Sequence, residues 1–169
     1  MKIIGNGNIE INTVKAKREV EFNEIKELAI LIWNEIYKNI LPQEQIDLLL
    51  NKYFEINSIK KYVKEGYEYT LFEHMNNFVG FGAYIEKDGY IYIDKIYLIK
   101  SFRRKGIAKQ YINNLQEFYK KPAKLNVNQQ NIDAINAYKS IGFTLEREEI
   151  IELGNGLQNI DFVMIFEKK

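Results

Sequence analysis

The chain has 169 residues, 46% hydrophobic, 14% aromatic and 28% charged, with a formal net charge of +1. That length and composition imply one domain, 1–169, with a sizeable core, and exclude a disordered or fibrous chain. The near-neutral balance excludes whole-molecule attraction to nucleic acid or an anionic membrane. Because there is no cysteine and His74 is the single histidine, disulfide, thiol-redox and Cys/His metal sites are excluded, and no metal is expected.

The segment Met1 to Gly7 lacks a signal-peptide apolar stretch, and no run of about 18 apolar residues occurs, so a cytoplasmic protein with no membrane partner is expected. Gly5 and Gly7 form a lone Gly-x-Gly in a terminus expected to fray. Ile9 to Val14 reads as a short strand. From Phe22 to Tyr37 the apolar residues Ile25, Leu28, Ala29, Ile32 and Ile36 recur at helical spacing and share one face. Pro42 breaks that pattern, and two short helical stretches follow, Gln43 to Lys52 and Asn57 to Lys64.

Tyr67 to Glu73 and Phe78 to Glu86 are rich in aromatic and β-branched residues and predict a hairpin around His74 to Asn77. Asp88-Gly89 then turns the chain into a third strand, Tyr90 to Ile99. In that strand Ile91, Ile93 and Lys95 are expected to face opposite to Tyr92, Asp94 and Ile96. Gly106 to Tyr119 carries a second helical stripe closed by Pro122. Leu125 to Val127 reads as a strand and Ile132 to Ser140 as a helix. Phe143 to Leu153 and Ile160 to Phe166 form a last strand pair around Gly154-Asn155-Gly156.

Chemistry concentrates where the third strand ends, at Leu98-Ile99-Lys100-Ser101-Phe102-Arg103-Arg104-Lys105-Gly106-Ile107-Ala108. A basic loop runs there into a helix start, whose first N–H groups lack intrahelical partners and sit at the positive end of the dipole. That combination can bind phosphate oxygens, with Gly106 and Ala108 letting backbone approach and Arg103, Arg104, Lys105 and Lys109 supplying positive charge. A merely solvated loop with a turn glycine stays open as the other reading. A Walker loop and a three-glycine dinucleotide fingerprint are both absent.

The pattern Arg103-x-x-Gly106-x-Ala108, after a strand ending in Tyr97-Leu98, resembles the pyrophosphate motif of the GNAT N-acetyltransferase family. Leu125-Asn126-Val127 followed by Asn131, Ala134, Tyr138, Gly142 and Phe143 resembles that family's second signature. The resemblance implies an α+β GNAT fold: a central, mostly antiparallel sheet of six to seven strands flanked by about four helices, in the order β-α-α-βββ-α-β-α-ββ. It implies acetyl-coenzyme A as co-substrate and transfer of the acetyl group to an amine of a small molecule or peptide, by a monomer or homodimer.

Site residues follow from the same resemblance. Main-chain groups of Arg103, Arg104, Lys105, Gly106, Ile107 and Ala108, with Lys109 beside them, would hold the pyrophosphate. Ile96, Tyr97 and Leu98 would line the pantetheine arm, Asn131 would contact the arm or cap its helix, and the Leu98 N–H would serve the oxyanion. Tyr138 matches the acid that protonates the leaving sulfur, against a plain core role beside Ile135. Asp94 and Glu86 are candidate bases, and either could equally sit at a sheet margin. Glu73 and His74 read as hairpin-loop residues, and Glu146, Glu148, Glu149 and Glu152 as decorating a solvent-facing strand.

The acceptor pocket is expected around Trp33, Glu35 and Tyr37, where Glu35 could attract a cationic amine or be solvated while the rings pack on the sheet. This segment is similar to bacterial GNAT proteins related to polyamine acetyltransferases. A non-catalytic acyl-coenzyme A sensor on the same fold is the alternative. Nucleic-acid binding through Arg103 to Lys105 is disfavoured, since one loop is a narrow basic footprint.

Overall fold

The computed structural model describes residues 2–154 and 157–167. Its elements are β1 (Lys2–Gly5), β2 (Ile9–Lys15), α1 (Glu19–Tyr37), α2 (Gln43–Phe54), α3 (Ile56–Lys64), β3 (Glu68–His74), β4 (Asn77–Lys87), β5 (Tyr90–Leu98), α4 (Ile107–Tyr119), β6 (Ala123–Asn128), α5 (Ile132–Ile141), β7 (Thr144–Gly154) and β8 (Leu157–Phe166). A 3-10 turn at Lys100–Phe102 lies between β5 and α4. Asn155 and Gly156, read from the sequence as part of the last turn, lie outside the described residues.

α1 begins where Glu21 folds back on the chain. Its carboxylate accepts hydrogen bonds from the backbone N–H groups of Lys17 (2.6 Å) and Arg18 (2.8 Å) and from the Arg18 guanidinium. Those donors hold the Glu21 carboxyl down to about 2. The helical spacing then turns Phe22, Ile25, Leu28, Ala29, Ile32 and Trp33 into the protein. Burying a side chain such as Ile32, fully enclosed, contributes about 2 kcal/mol. The two helical stretches after Pro42 form separate helices because Glu55 between them is extended (φ −60°, ψ 145°).

Among the described residues, eight strands form one sheet in the order β1-β2-β3-β4-β5-β6-β8-β7, antiparallel except between β5 and β6. One face is covered by α1, α2 and α3, whose Ile25, Ile32, Phe54 and Ile59 pack with Tyr69, Leu71, Phe81 and Ala83. On the other, Tyr111, Ile112 and Leu115 of α4 and Ile135 of α5 pack with Ile3, Ile11, Phe72, Ile91, Ile93 and Leu125.

Three expectations are corrected. Among the described residues the sheet has eight strands rather than six to seven, while the five helices that flank it accord with the about four expected. The additional strand is β1: the terminus read as frayed pairs with β2 from Lys2↔Asn12 to Gly5↔Ile9, and Ile3 is fully buried. Gly7 (φ +73°) and Asn8 (φ +59°) supply the left-handed turn that joins the two. Finally, Asp94 and Lys95 do not face opposite ways. The β4–β5 register steps from Tyr84↔Ile93 to Ala83↔Lys95, leaving Asp94 as an extra residue in a β-bulge. The slip reverses the alternation, so Ile91 and Ile93 join the α4 core before it, whereas Ile96 and Leu98 join that core after it.

Candidate active site

Beyond the bulge the sheet opens. β5 pairs with β6 at Ile91↔Ala123, Tyr92↔Lys124 and Ile93↔Leu125, and no further pairing joins them among the described residues. β6 continues from Asn126 to Asn128 against β8, and β5 continues to Leu98 against β4. A wedge is left between the two strands. Because the Ile99 N–H bonds to the Val79 carbonyl on β4, and successive N–H groups of a strand alternate in direction, the Leu98 and Ile96 N–H groups face the wedge. Those are unclaimed backbone donors at a strand edge, suited to an extended amide-bearing chain.

The loop that follows is held in a defined shape. The Arg103 guanidinium donates to the Leu98 carbonyl (2.8 Å) and reaches the Glu35 carboxylate on α1 with both terminal nitrogens (3.0 and 3.3 Å). Glu35, which the sequence left open as either an attractor of a cationic amine or a solvated acid, is ion-paired with Arg103, which offsets its charge. Arg104 adopts φ +60° and Gly106 φ +73°, and α4 starts at Gly106 with no side chain capping its first N–H groups. Those groups, from Ile107, Ala108 and Lys109, remain open to an anion. The Ile107 side chain is buried in the core, so only its backbone can contribute. Arg104 and Lys109 are exposed at the mouth.

Tyrosines from three elements converge near the wedge. The Tyr37 oxygen of α1 receives hydrogen bonds from the Asn131 side chain at the start of α5 and from the Tyr97 hydroxyl of β5. Asn131 uses its other atom, Oδ1, to accept from the Ala134 N–H (3.2 Å), capping α5. Tyr138 of α5 adjoins this group, and burial, with Tyr37 nearby, pushes its hydroxyl well above the ordinary tyrosine value. Burial raises Tyr37 and Tyr97 in the same direction. All three phenols are consequently protonated near neutral pH. Trp33 stacks behind them, 4.7 Å from Tyr37 and 6.0 Å from Tyr97 between ring centroids. It is buried, so it shapes the site by packing, while its Nε1 has no hydrogen-bond partner.

The acids are arranged differently from the sequence expectation. Asp94 forms an ion pair with Lys95, whose ammonium is buried and lies over the rings of Tyr62 (5.0 Å), Tyr53 (5.6 Å) and Phe54 (5.6 Å). Burial and the Asp94 charge push the Tyr62 hydroxyl up to about 12. Glu86 is tied to Lys121 at 2.7 Å, at the opposite end of β4 from Gly80, the partner of Leu98. Two further charged residues, Lys95 and Asp161, lie close to the tyrosine group. Simple alternation along β5 puts Lys95 on the other face, because a bulge leaves no mark in a strand pattern. Asp161, opposite Asn128 on β8, is half-buried, and burial with neighbouring Glu149 raises its carboxyl. Its signal was available, as a lone acid inside the apolar run Ile160-Asp161-Phe162-Val163-Met164. Beyond it, a cavity of about 210 Å³ lined by Asn128, Gln129, Gln130, Gln158 and Ile160 opens where β6 ends.

A wedge between parallel strands, a basic loop running into an uncapped helix and a partly buried tyrosine beside them all fall within one matched region. The acetyltransferase (GNAT) domain model matches residues 38–164. The chain belongs to the GNAT acetyltransferase family. No curated protein matches the sequence. Solved structures share this fold: PaiA N-acetyltransferase from Thermoplasma acidophilum in complex with coenzyme A superposes with a TM-score of 0.74 at 18% identity, covering 94% of this chain and 99% of that one. A GCN5-related N-acetyltransferase from Rhodopseudomonas palustris gives 0.73 at 10% identity, covering 91% and 93%. Spermidine N-acetyltransferase from Vibrio cholerae, in complex with coenzyme A and spermine, gives 0.62 at 20% identity, covering 92% and 94%. Among the described residues of this GNAT protein, no group of acidic or histidine side chains is placed to hold a metal, and no helix is long and apolar enough to cross a membrane.

Proposed function

We propose that this GNAT protein transfers the acetyl group of acetyl-coenzyme A to a primary amine of a small molecule or peptide by direct attack on the thioester. The observation that carries the proposal is the unpaired wedge, with the Leu98 and Ile96 N–H groups on one wall, Tyr138 beside it and the open helix start of α4 at its mouth. The pantetheine arm would pair with the free edge of β5 at Ile96, Tyr97 and Leu98. The pyrophosphate would take the backbone N–H groups between Arg103 and Ala108, with Lys109 alongside.

In the reaction the neutral amine nitrogen bonds to the carbonyl carbon, and the Leu98 N–H stabilises the oxyanion. The carbon–sulfur bond breaks and the thiolate takes the Tyr138 proton. The ammonium proton of the new amide nitrogen passes to a carboxylate, and Tyr138 is reprotonated from solvent, so the products are an N-acetyl amide and free thiol. Asp94, oriented by Lys95, is the base favoured here, and Asp161 is the second candidate because its raised carboxyl binds a proton more readily. Tyr37 would orient the acceptor through its contacts to Asn131 and Tyr97. The likeness to acetyltransferases crystallised with coenzyme A and with spermine supports an amine acceptor.

The test is a thermal-shift measurement with acetyl-coenzyme A followed by an amine panel, including spermine, amino acids and peptides, read by thiol release. Stabilisation and turnover with at least one amine are expected. Failure to bind acetyl-coenzyme A would overturn the proposal, and binding without turnover on any amine would reduce the protein to a sensor.

A further inference from the structure

The turn between β1 and β2 rests on the loop that runs into α4. The Asn6 N–H donates to the Lys105 carbonyl at 2.8 Å. Gly5 leaves no room between them: a Cβ there would stand 2.6 Å from the Lys105 oxygen and 3.4 Å from Ile107 Cγ1. Gly106, in turn, has the Asn6 side chain seated against it, with Oδ1 2.9 Å from where a Cβ would lie. Behind this contact Ile3 and Ile11 share the core of Ile107, which fastens the hairpin to α4.

A peptide unit is planar and trans, so its C=O and its N–H point in opposite directions. The Lys105 carbonyl and the Gly106 N–H belong to one such unit. Holding the carbonyl toward the hairpin therefore aims the Gly106 N–H away from it. The neighbouring left-handed residues, Arg104 (φ +60°) and Gly106 (φ +73°), give the loop alternating backbone directions, the arrangement that gathers successive N–H groups around an anion. Arg103, bound to Glu35 and to the Leu98 carbonyl, secures the loop's other end. Without an outside hydrogen bond, the Lys105–Gly106 plane would be free to flip, since glycine accepts either orientation at little cost.

We propose that the β1–β2 hairpin is the positioning element of the coenzyme A loop, in which Gly5 and Asn6 set the Lys105–Gly106 peptide plane and so aim the Gly106 N–H at the cofactor's pyrophosphate. This rests on the coenzyme A site proposed above. Neither hairpin residue needs to touch the cofactor, and their effect is confined to the half of it that carries the pyrophosphate.

The experiment compares full-length wild type with Gly5→Ala, which pushes on the Lys105 carbonyl, and Asn6→Pro, which removes the donor. Ile4→Thr serves as a control in the same hairpin, at an exposed strand position whose β-branched shape is kept. Affinity for coenzyme A is measured by calorimetry, and affinity for pantetheine, which lacks the pyrophosphate, by NMR titration. Gly5→Ala and Asn6→Pro should each weaken coenzyme A about tenfold, leaving pantetheine within about twofold, whereas Ile4→Thr should leave both unchanged. Equal coenzyme A affinity in wild type and both variants overturns the inference. So does a parallel loss for coenzyme A and pantetheine, which would mean that the hairpin serves stability alone. If wild type itself fails to bind coenzyme A, it is the site assignment that falls.

Discussion

The loop entering α4 and the tyrosine cluster between α1, β5 and α5, the two halves of the proposed site, are built in opposite ways. Nearly everything in the loop comes from consecutive residues, Arg103 to Lys109, and its donors are backbone groups exposed by the start of a helix. The cluster takes Tyr37, Tyr97, Asn131 and Tyr138 from positions up to 101 residues apart and works through side chains set by packing. A backbone site tolerates side-chain change but not a change of conformation. A side-chain site tolerates neither loss of the group nor loss of the packing that aims it.

The largest effect that sharpens this contrast is expected at Tyr138. Replacing it with Phe should lower kcat by roughly 10²- to 10³-fold, with coenzyme A affinity kept within about twofold, as calorimetry and thiol release would show. A kcat within threefold of wild type would return Tyr138 to a core role. Because its hydroxyl is pushed upward, the pH profile of kcat should show no loss of this acid below about pH 10. Next in size is Lys95→Ala, which strips the buried partner from Asp94. It should cost about 3 kcal/mol in urea unfolding, with Asp94→Asn/Lys95→Met together milder than the single change.

A loop substitution should show the reverse pattern. Gly106→Ala forces a side chain into φ +73° against Asn6, and should raise the KM for acetyl-coenzyme A about tenfold with kcat within about threefold. If kcat falls instead, the loop does more than bind. The smallest effect lies away from both regions. Glu21 is held below its ordinary value in the native state, so its contribution is full above about pH 4.5 and is lost as pH falls toward about 2. Glu21→Gln should therefore cost about 1 kcal/mol at pH 7 and little at pH 2.5, as paired thermal melts would reveal.

Legibility in the sequence followed the same division. The long helices, the three consecutive antiparallel strands and the loop at Arg103 to Ala108 were all readable, because hydrophobic period and turn chemistry are local properties. β1 was not, since four residues that end in Gly5 and are followed by Gly7 have no pattern of their own and become a strand only by pairing with β2 and burying Ile3 against α4. The facing of Lys95 was not, since alternation presumes an unbroken ladder and the bulge at Asp94 belongs to the pairing with β4. Glu35 was located correctly along the chain, but its partner Arg103 is 68 residues away.

By itself, then, the sequence determined the order of the elements from β2 onward and the basic loop that runs into α4, both set by interactions over a few residues. Tertiary structure decided the rest: where β5 parts from β6, that Asp94 and Lys95 meet, that Glu35 is spent on Arg103, and that the N-terminal hairpin presses on the loop. Each of these depends on which distant segments come into contact, a property of the packed chain that no short window of residues contains.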